Sequence, residues 1–284
     1  MFYNSYFKME KLLILVNFIK DNKKLLISFG LTGLFIYLIK KYFKIVIGNV
    51  GLIFSRYTTL ARFKKRPKKI FLIRHGESEA NVDAKRYDDT PDNKIQLSPQ
   101  GKLQAKKAAE NMLLNIPKEC KKVKFFVSPF TRTKQTAEIL YKTFEENGLE
   151  CSSQEDPRLR EQEMGNYQNQ ERMKIIFKER HQVGKFFYRV KGGESGADVY
   201  DRASQFLETL FREMDMYHRD KADILVIVTH GLYMRLLLMR YFKWSVQYFE
   251  KLKNPENTET WMLEKNLDLE KGKYKLITEI KVDN

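Results

Sequence analysis

Cysteine and histidine are both scarce, with 2 of the first and 4 of the second among 284 residues. Cys120 and Cys151 have no metal-type spacing, and two cysteines do not build a disulfide framework. No Asn-x-Ser/Thr acceptor occurs anywhere. Together these absences exclude a disulfide-stapled secreted scaffold and fit a reducing, non-glycosylating compartment such as the cytosol or the mitochondrial matrix. Internal repeats and low-complexity tracts are missing too, and the length suits one substantial α/β domain with an extension. Acidic residues are missing from one region only. Residues 1–69 hold 15 Lys and Arg against Glu10 and Asp21, a balance of +13, whereas the other 215 residues hold 37 against 34, a balance of +3. The net charge of +16 therefore belongs to the N-terminal segment. A nucleic-acid-binding domain carries its charge on the folded unit, so that class is set aside.

Leu25 to Ile39 reads LLISFGLTGLFIYLI, 15 residues without a charge, fenced by Lys23-Lys24 and Lys40-Lys41. A helix at about 1.5 Å per residue covers roughly 22 Å here, less than a hydrocarbon core of about 30 Å. Lysine stems can reach the surface, however, and Tyr37 and Tyr42 suit the interface. The pattern predicts a single-pass N-terminal transmembrane helix at about residues 25–39. Its shortness favours a thin bilayer such as the endoplasmic reticulum over a plasma membrane. The preceding apolar stretch, Leu12–Ile19, is broken by Asn17 and suits an interfacial helix or a partner contact. No small-residue cleavage site follows the run, which argues against a removed targeting peptide. Basic residues are denser after it (Lys40, Lys41, Lys44, Arg56, then Arg62 through Lys69), so the folded domain is expected on the cytosolic or matrix side. Residues 1–66 are thus expected to be membrane anchor and basic linker, and 67–284 the folded domain.

From Lys69 onward, strands alternate with amphipathic helices. Apolar runs at Ile70–Ile73, Val123–Val127 and Ile224–Val228 predict buried strands, with Trp261–Leu263 and Lys275–Ile280 as late ones. Helices are predicted from Ser98 through Asn115, Thr131 to Phe144, Ala197 to Tyr217 and Leu232 to Phe242. This alternation predicts an α/β fold, a three-layer sandwich with a mostly parallel central sheet flanked by helices.

Two of the histidines have matching surroundings: KIFLIRHG at Lys69–Gly76 and DILVIVTHG at Asp223–Gly231. Each places a His just past the C-terminal end of a buried strand, the edge at which open α/β sheets bind ligands. The Gly that follows lets the backbone turn and a ligand approach. His181 and His218 sit in polar helical surroundings and read as surface residues. Arg74 directly precedes His75, and Arg132 lies in SPFTRTKQTA at Ser128–Ala137, just after the second strand. Guanidinium groups match phosphate oxygens in bidentate fashion. A surface arginine is usually a solvated charge, but two at strand-end turns beside a candidate nucleophile point to an anion.

Five motifs occur in order: RHGES at Arg74–Ser78 followed by Asn81, SPFTRTKQTA, LREQEMG at Leu159–Gly165, GGES at Gly192–Ser195, and VTHG at Val228–Gly231. In this order the chain resembles the histidine phosphatase superfamily, in its phosphoglycerate-mutase-like branch, from about Lys68 to the C-terminus. TPDNKIQLS at Thr90–Ser98 and the EQEMGNYQ stretch bring it nearer to the small phosphoglycerate-mutase-like proteins of plants and fungi. The resemblance implies that His75 attacks phosphorus and becomes a phosphohistidine. Arg74, Arg132 and His230 would hold the phosphoryl oxygens, and Glu161 would give a proton to the leaving oxygen and later activate water. Ser78, Asn81 and Gly231 would line the substrate pocket. No metal and no cofactor are implied. Glu163 is a rival proton donor, Glu77 a further candidate, and Glu194 a residue that orients the site. Pocket walls are expected from Asp83–Ile95 and Asn166–Lys191.

The expected function is a metal-independent phosphomonoester hydrolase, acting on a phosphorylated small molecule or phosphoprotein and held to a membrane. The alternative is an accessory subunit of a membrane complex, with the mitochondrial inner membrane in view and the endoplasmic reticulum as the other location. A phosphoglycerate-type mutase is a third reading. It is disfavoured because mutases of this family usually have Trp before the Asn of the first motif, where this chain has Ala80.

Overall fold

The computed structural model describes residues 32–165, 170–215, 221–267 and 273–283, with residues 13, 14, 16, 17, 20 and 21 before them. The chain divides into two compact units, Met1–Leu60 and Ala61–Asn284. A 33-residue helix, α1 (Thr32–Lys64), begins in the first and ends in the second. Residues 25–31 of the expected span lie outside the described residues. Among the described ones, no helix is long and apolar enough to cross a membrane. The stop expected at Lys40-Lys41 is also corrected, because α1 continues through Lys44 and Arg56 to Lys64. Lysine and arginine are good helix formers, so charge ends an apolar run without ending the helix. The next uncharged stretch, 45–55, has only 11 residues, well short of the roughly 20 that a span requires. Of Leu12–Ile19, the described positions 13, 14, 16 and 17 are helical, with Leu13, Ile14 and Val16 exposed.

The second unit is built on one six-stranded sheet in the order β3-β2-β4-β1-β5-β6. Its strands are β1 (Lys69–Arg74), β2 (Lys122–Val127), β3 (Glu150–Glu155), β4 (Ile224–Thr229), β5 (Thr260–Asn266) and β6 (Lys273–Leu276). The first four in chain order pair in parallel, and β5 and β6 add antiparallel along one edge, so the sheet is mixed. Helices α4 (Pro99–Leu113) and α5 (Thr131–Glu146) cover one face; α7 (Gly196–Asp215) and α8 (Gly231–Phe242) cover the other. Alternate strand residues serve opposite faces. Ile70 and Leu72 pack with Phe206, Leu210 and Leu236, whereas Phe71 and Ile73 join the cluster of Ala105, Met112 and Leu140. With both faces covered, β4 is apolar and buried at nearly every position, ending in buried Thr229. Shorter helices complete the chain: α2 (Glu79–Val82), α3 (Arg86–Asp89), α6 (Gln170–Val183) and α9 (Val246–Lys251).

β3 and α6 were not foreseen, and neither were the short helices α2, α3 and α9. The stretch Arg62–Lys69 is also not a free linker. Phe63 is buried, its ring 5.7 Å from that of Tyr274 in an edge-on contact. Arg66 makes two 2.6 Å hydrogen bonds to Asp215, and Lys265 Nζ donates to the carbonyls of Lys64 and Arg66.

Register places the site. Arg74 lies opposite Thr229 and Val127 opposite Val228, so β1, β4 and β2 stop at one edge. His75, His230 and Ser128 are the next residues of those three strands. Thr229 Oγ1 donates to the Leu159 carbonyl at 2.7 Å, bringing the segment that holds Glu161 to the same edge.

Candidate active site

His75 extends the ladder by one bond, its backbone N–H donating to the Thr229 carbonyl at 3.0 Å. Its ring is 4% exposed. Nδ1 lies 2.7 Å from the Gly76 carbonyl oxygen, and since that oxygen only accepts, Nδ1 carries the proton. Nε2 is left with its lone pair, and Arg132 Nε–H donates to it at 3.2 Å. Burial first, then the Arg132 and Arg74 cations, hold the His75 pKa well below the usual histidine range. The neutral ring thus presents the Nε2 lone pair beside Arg132 while Nδ1 is fixed, the arrangement a histidine nucleophile would need. The turn beneath it is close-packed, since a Cβ on Gly76 would stand 2.5 Å from the Gly101 carbonyl oxygen.

Three cationic or donor groups lie near the His75 ring. Arg132, in the first turn of α5, is 3% exposed and also binds Asp92, at 2.6 Å to the carbonyl and 2.7 Å to Oδ1. Arg74 donates to the Pro255 carbonyl at 2.7 Å; burial lowers its pKa and Glu161 opposes that. His230 caps α8, fully buried, with its ring 5.3 Å from that of His75. Its Nε2 is 2.8 Å from Ser128 Oγ, while Nδ1 is buried and has no partner among the described residues. Burial, then Arg132, push its pKa well below the usual range. Burying cations and an orphan nitrogen together is costly unless an anion completes them. A phosphoryl group has the charge and the acceptors to do so.

Glu161 lines the cavity of about 350 Å³ above His75 and accepts the Gln162 backbone N–H at 3.0 Å. Its segment is clamped by Arg202, which donates to the carbonyls of Arg158 (2.6 Å), Arg160 (2.7 Å) and Glu161 (3.0 Å). Glu194 holds Arg202 in turn through two 3.0 Å bonds and also accepts from Arg160 and the Glu163 N–H. Glu163 is exposed and is not a cavity residue. Glu77 accepts a 2.6 Å bond from Ser98 Oγ.

Asn81 lines the cavity, but Ser78 does not. Ser78 instead caps α2 reciprocally with Asn81, a use of serine that satisfies backbone donors at a helix start. Gly231 acts at one remove, because a Cβ there would meet Asn254 Oδ1 at 2.3 Å, and Asn254 is the cavity residue. Sequence reasoning missed Tyr87, Asp92, Arg180, Arg235 and Asn254. The first three come from the two stretches expected to supply walls. Arg235 had a readable signal, a charge inside the otherwise apolar run Leu232–Met239 of α8.

Residues 70–273 match the model of the histidine phosphatase superfamily (branch 1). The chain belongs to that superfamily. It is 45% identical over 209 residues to phosphoglycerate mutase-like protein AT74 of Arabidopsis thaliana, covering 71% of this chain and 66% of that protein. The yeast broad-range acid phosphatase DET1, from Saccharomyces cerevisiae, is 29% identical over 300 residues, covering 75% of this chain and 89% of its own length. Among solved structures, a mycobacterial glucosyl-3-phosphoglycerate phosphatase superposes with a TM-score of 0.58 at 23% identity, over 75% of this chain and 98% of that one. That likeness is one of fold. Family membership with phosphatase relatives supports a phosphoric monoester hydrolase.

Proposed function

We propose that this chain hydrolyses phosphomonoesters through a phosphohistidine on His75, with Glu161 as proton donor. The observation that carries the reading is the Nδ1–H bond to Gly76, which leaves Nε2 as a lone pair beside Arg132. In the first step Nε2 bonds to phosphorus as the ester P–O bond breaks, and the Glu161 carboxyl passes its proton to the leaving oxygen. Water then attacks phosphorus and returns a proton to Glu161, and the P–N bond breaks to release phosphate. Arg74, Arg132 and His230 offset the charge on the phosphoryl oxygens, a preorganised contribution of about 2.7–4 kcal/mol for a single donor in comparable sites. Asn81 and Asn254 border the substrate. Ala80 before Asn81 favours hydrolysis over a mutase reaction.

A second proposal concerns placement. Attachment to a membrane through residues 1–66, with the domain 67–284 on the cytosolic or matrix side, is supported by the uncharged run 25–39. Exposed Ile39, Phe43, Ile45 and Ile47 on α1 support it further. Mitochondrial inner membrane and endoplasmic reticulum both fit, and fractionation of cells expressing the full chain decides between them. Complete release of the chain by alkaline carbonate would sink the attachment. Co-migration with a large detergent-extracted assembly would favour the accessory-subunit alternative.

The activity is tested with the full chain and 4-nitrophenyl phosphate, with no metal added, beside His75→Ala. Turnover that vanishes in the variant, with acid-labile phosphate on the intact protein only, is expected. Equal turnover in both would overturn the assignment of His75.

A further inference from the structure

The aim of the His75 ring depends on the direction of one carbonyl, that of Gly76, which accepts from Nδ1 at 2.7 Å. A peptide group is planar and trans, so the Gly76 C=O and the Glu77 N–H point in opposite directions. Whatever holds that N–H therefore aims that C=O. The holder is Gln104 of α4, whose Oε1 accepts the Glu77 N–H at 2.9 Å. An N–H only donates, so the amide atom facing it is the oxygen. The two bonds form a relay through a single peptide, from Gln104 Oε1 to Glu77 N–H and from Gly76 C=O to His75 Nδ1.

Gln104 reaches the turn because the start of α4 packs directly on Glu77. Ser98 caps that helix; its N–H donates to the Glu77 carbonyl at 2.9 Å and its hydroxyl to Glu77 Oε1 at 2.6 Å. Gly101 then lies against the Glu77 backbone, where a Cβ would meet the carbonyl oxygen at 2.0 Å. Residues three apart share a helix face, which brings Gln104 to the same side as Gly101. The preceding peptide is pinned separately. Thr136 Oγ1 accepts the Gly76 N–H at 3.1 Å, and the Thr258 N–H and Asn257 Nδ2 each donate to the His75 carbonyl at 3.3 Å. Among the described residues, only Gln104 meets the Gly76–Glu77 peptide at its N–H.

Two bonds therefore act on opposite sides of the His75 ring. Arg132 Nε–H fixes which nitrogen keeps the lone pair, and the Gly76 carbonyl fixes where the ring points it. Hydrogen bonds in series also polarise one another, so the Gln104 bond strengthens the one at Nδ1. We propose that Gln104 is a positioning residue: it aims the Gly76 carbonyl at His75 Nδ1 and so holds the Nε2 lone pair in line for attack. The proposal rests on the reading of His75 as nucleophile for its effect on rate, but not for its effect on the ring.

The test follows the His75 Nδ1 proton by NMR in the full chain labelled with ¹⁵N-histidine, beside steady-state turnover of 4-nitrophenyl phosphate. With only 4 histidines present, His75→Ala identifies the signal. In the native chain this proton should lie far downfield and exchange slowly with water. Gln104→Met keeps the size of the side chain and removes the acceptor oxygen. Its Nδ1 proton should move upfield and exchange faster, with kcat lowered and KM little changed. The loss in kcat should be about 10–100-fold, as for losing a partner that orients a metal-binding histidine. Gln104→Glu, which keeps an oxygen for the Glu77 N–H, should restore most of both. Gln104 is partly exposed beside a groove lined by Lys107 and Asn111. If Gln104→Met does not fold, the smaller Gln104→Ala takes its place. An unmoved proton in a folded variant overturns the proposal whatever the rate does, and so does a moved proton with unchanged kcat. If the native chain shows no turnover, the hydrolase reading fails, and the proton signal alone decides the role of Gln104.

Discussion

The floor of the cavity hangs from three parallel strands that stop in register, whereas its outer wall is carried largely by α6, a helix that leaves Ile175 and Phe177 exposed. On the floor, His75 and Arg132 are bonded to backbone and to each other, His230 is bonded to the Ser128 hydroxyl, and all three are almost fully buried. On the wall, Arg180 is partly exposed and its Nε lacks a partner among the described residues. Under the proposed reaction the floor holds the groups that act on a phosphoryl group, and the wall borders the rest of the molecule that carries it. A change on the floor should therefore lower turnover for every substrate, and a change on the wall should alter ratios between substrates.

The largest effect is expected at the nucleophile. His75→Ala should lower kcat by about 10⁴-fold or more, as removal of a catalytic nucleophile does elsewhere, equally for aryl and alkyl phosphates in a steady-state assay. Next comes Glu161→Gln, worth about 10²–10⁴-fold for a general acid. That loss should be concentrated on alkyl esters, whose leaving oxygens need the proton, and nearly absent with 4-nitrophenyl phosphate. A uniform loss would mean that Glu161 binds rather than donates. Arg202→Lys probes the clamp on the same segment. A drop of about tenfold in kcat on alkyl esters, largely absent when Glu161 is already Gln, would identify Arg202 as a positioning residue through a double-mutant cycle.

Smaller still is Gly231→Ala, which forces Asn254 to move. Overpacking of this kind costs about 1–3 kcal/mol, and thermal unfolding should register it together with a raised KM. The last prediction concerns pH. His75 and His230 have folded pKa values held well below the ordinary value of 6.5. The unfolded chain thus binds protons that the folded one refuses once pH falls below 6.5. Stability due to these rings is full above that value and lost on descent towards the folded pKa values. Melting temperature should fall from pH 7 to 5, and less steeply in His75→Ala.

The floor was legible because its residues adjoin buried strands and one another in the sequence. Each motif is a strand end followed by the turn that uses it. What escaped was made of different material. β3 reads ECSSQE and is exposed at all positions but one, so no apolar pattern marks it, and its only sheet neighbour is β2. In α6 the apolar residues Met173, Ile176 and Phe177 are at helical spacing but span little more than one turn, and Ile175 and Phe177 are exposed, so the amphipathic signal is too short to read. Ser78 is ambiguous in the sequence because a serine at this spacing after His75 suits both a ligand and a helix start, and its bond from the Asn81 N–H shows the second use. The N-terminal pattern misled for a related reason. The sequence pattern predicts a helix fenced by lysines, yet α1 runs on through Lys40 and Lys41.

The contact between Phe63 and Tyr274 joins the first and the last Phe, Tyr or Trp ring of the folded unit. Lys265, reaching from β5 to the carbonyls of Lys64 and Arg66, closes the same loop beside it. The unit is in effect buckled, with its entrance and exit fastened to each other. A chain shortened to 67–284 gives up one half of that buckle, leaving Tyr274 bare on one side and Lys265 without its acceptors. Shortening past Tyr274 gives up the other half. The two truncations, more than 200 positions apart in sequence, should therefore injure the same place.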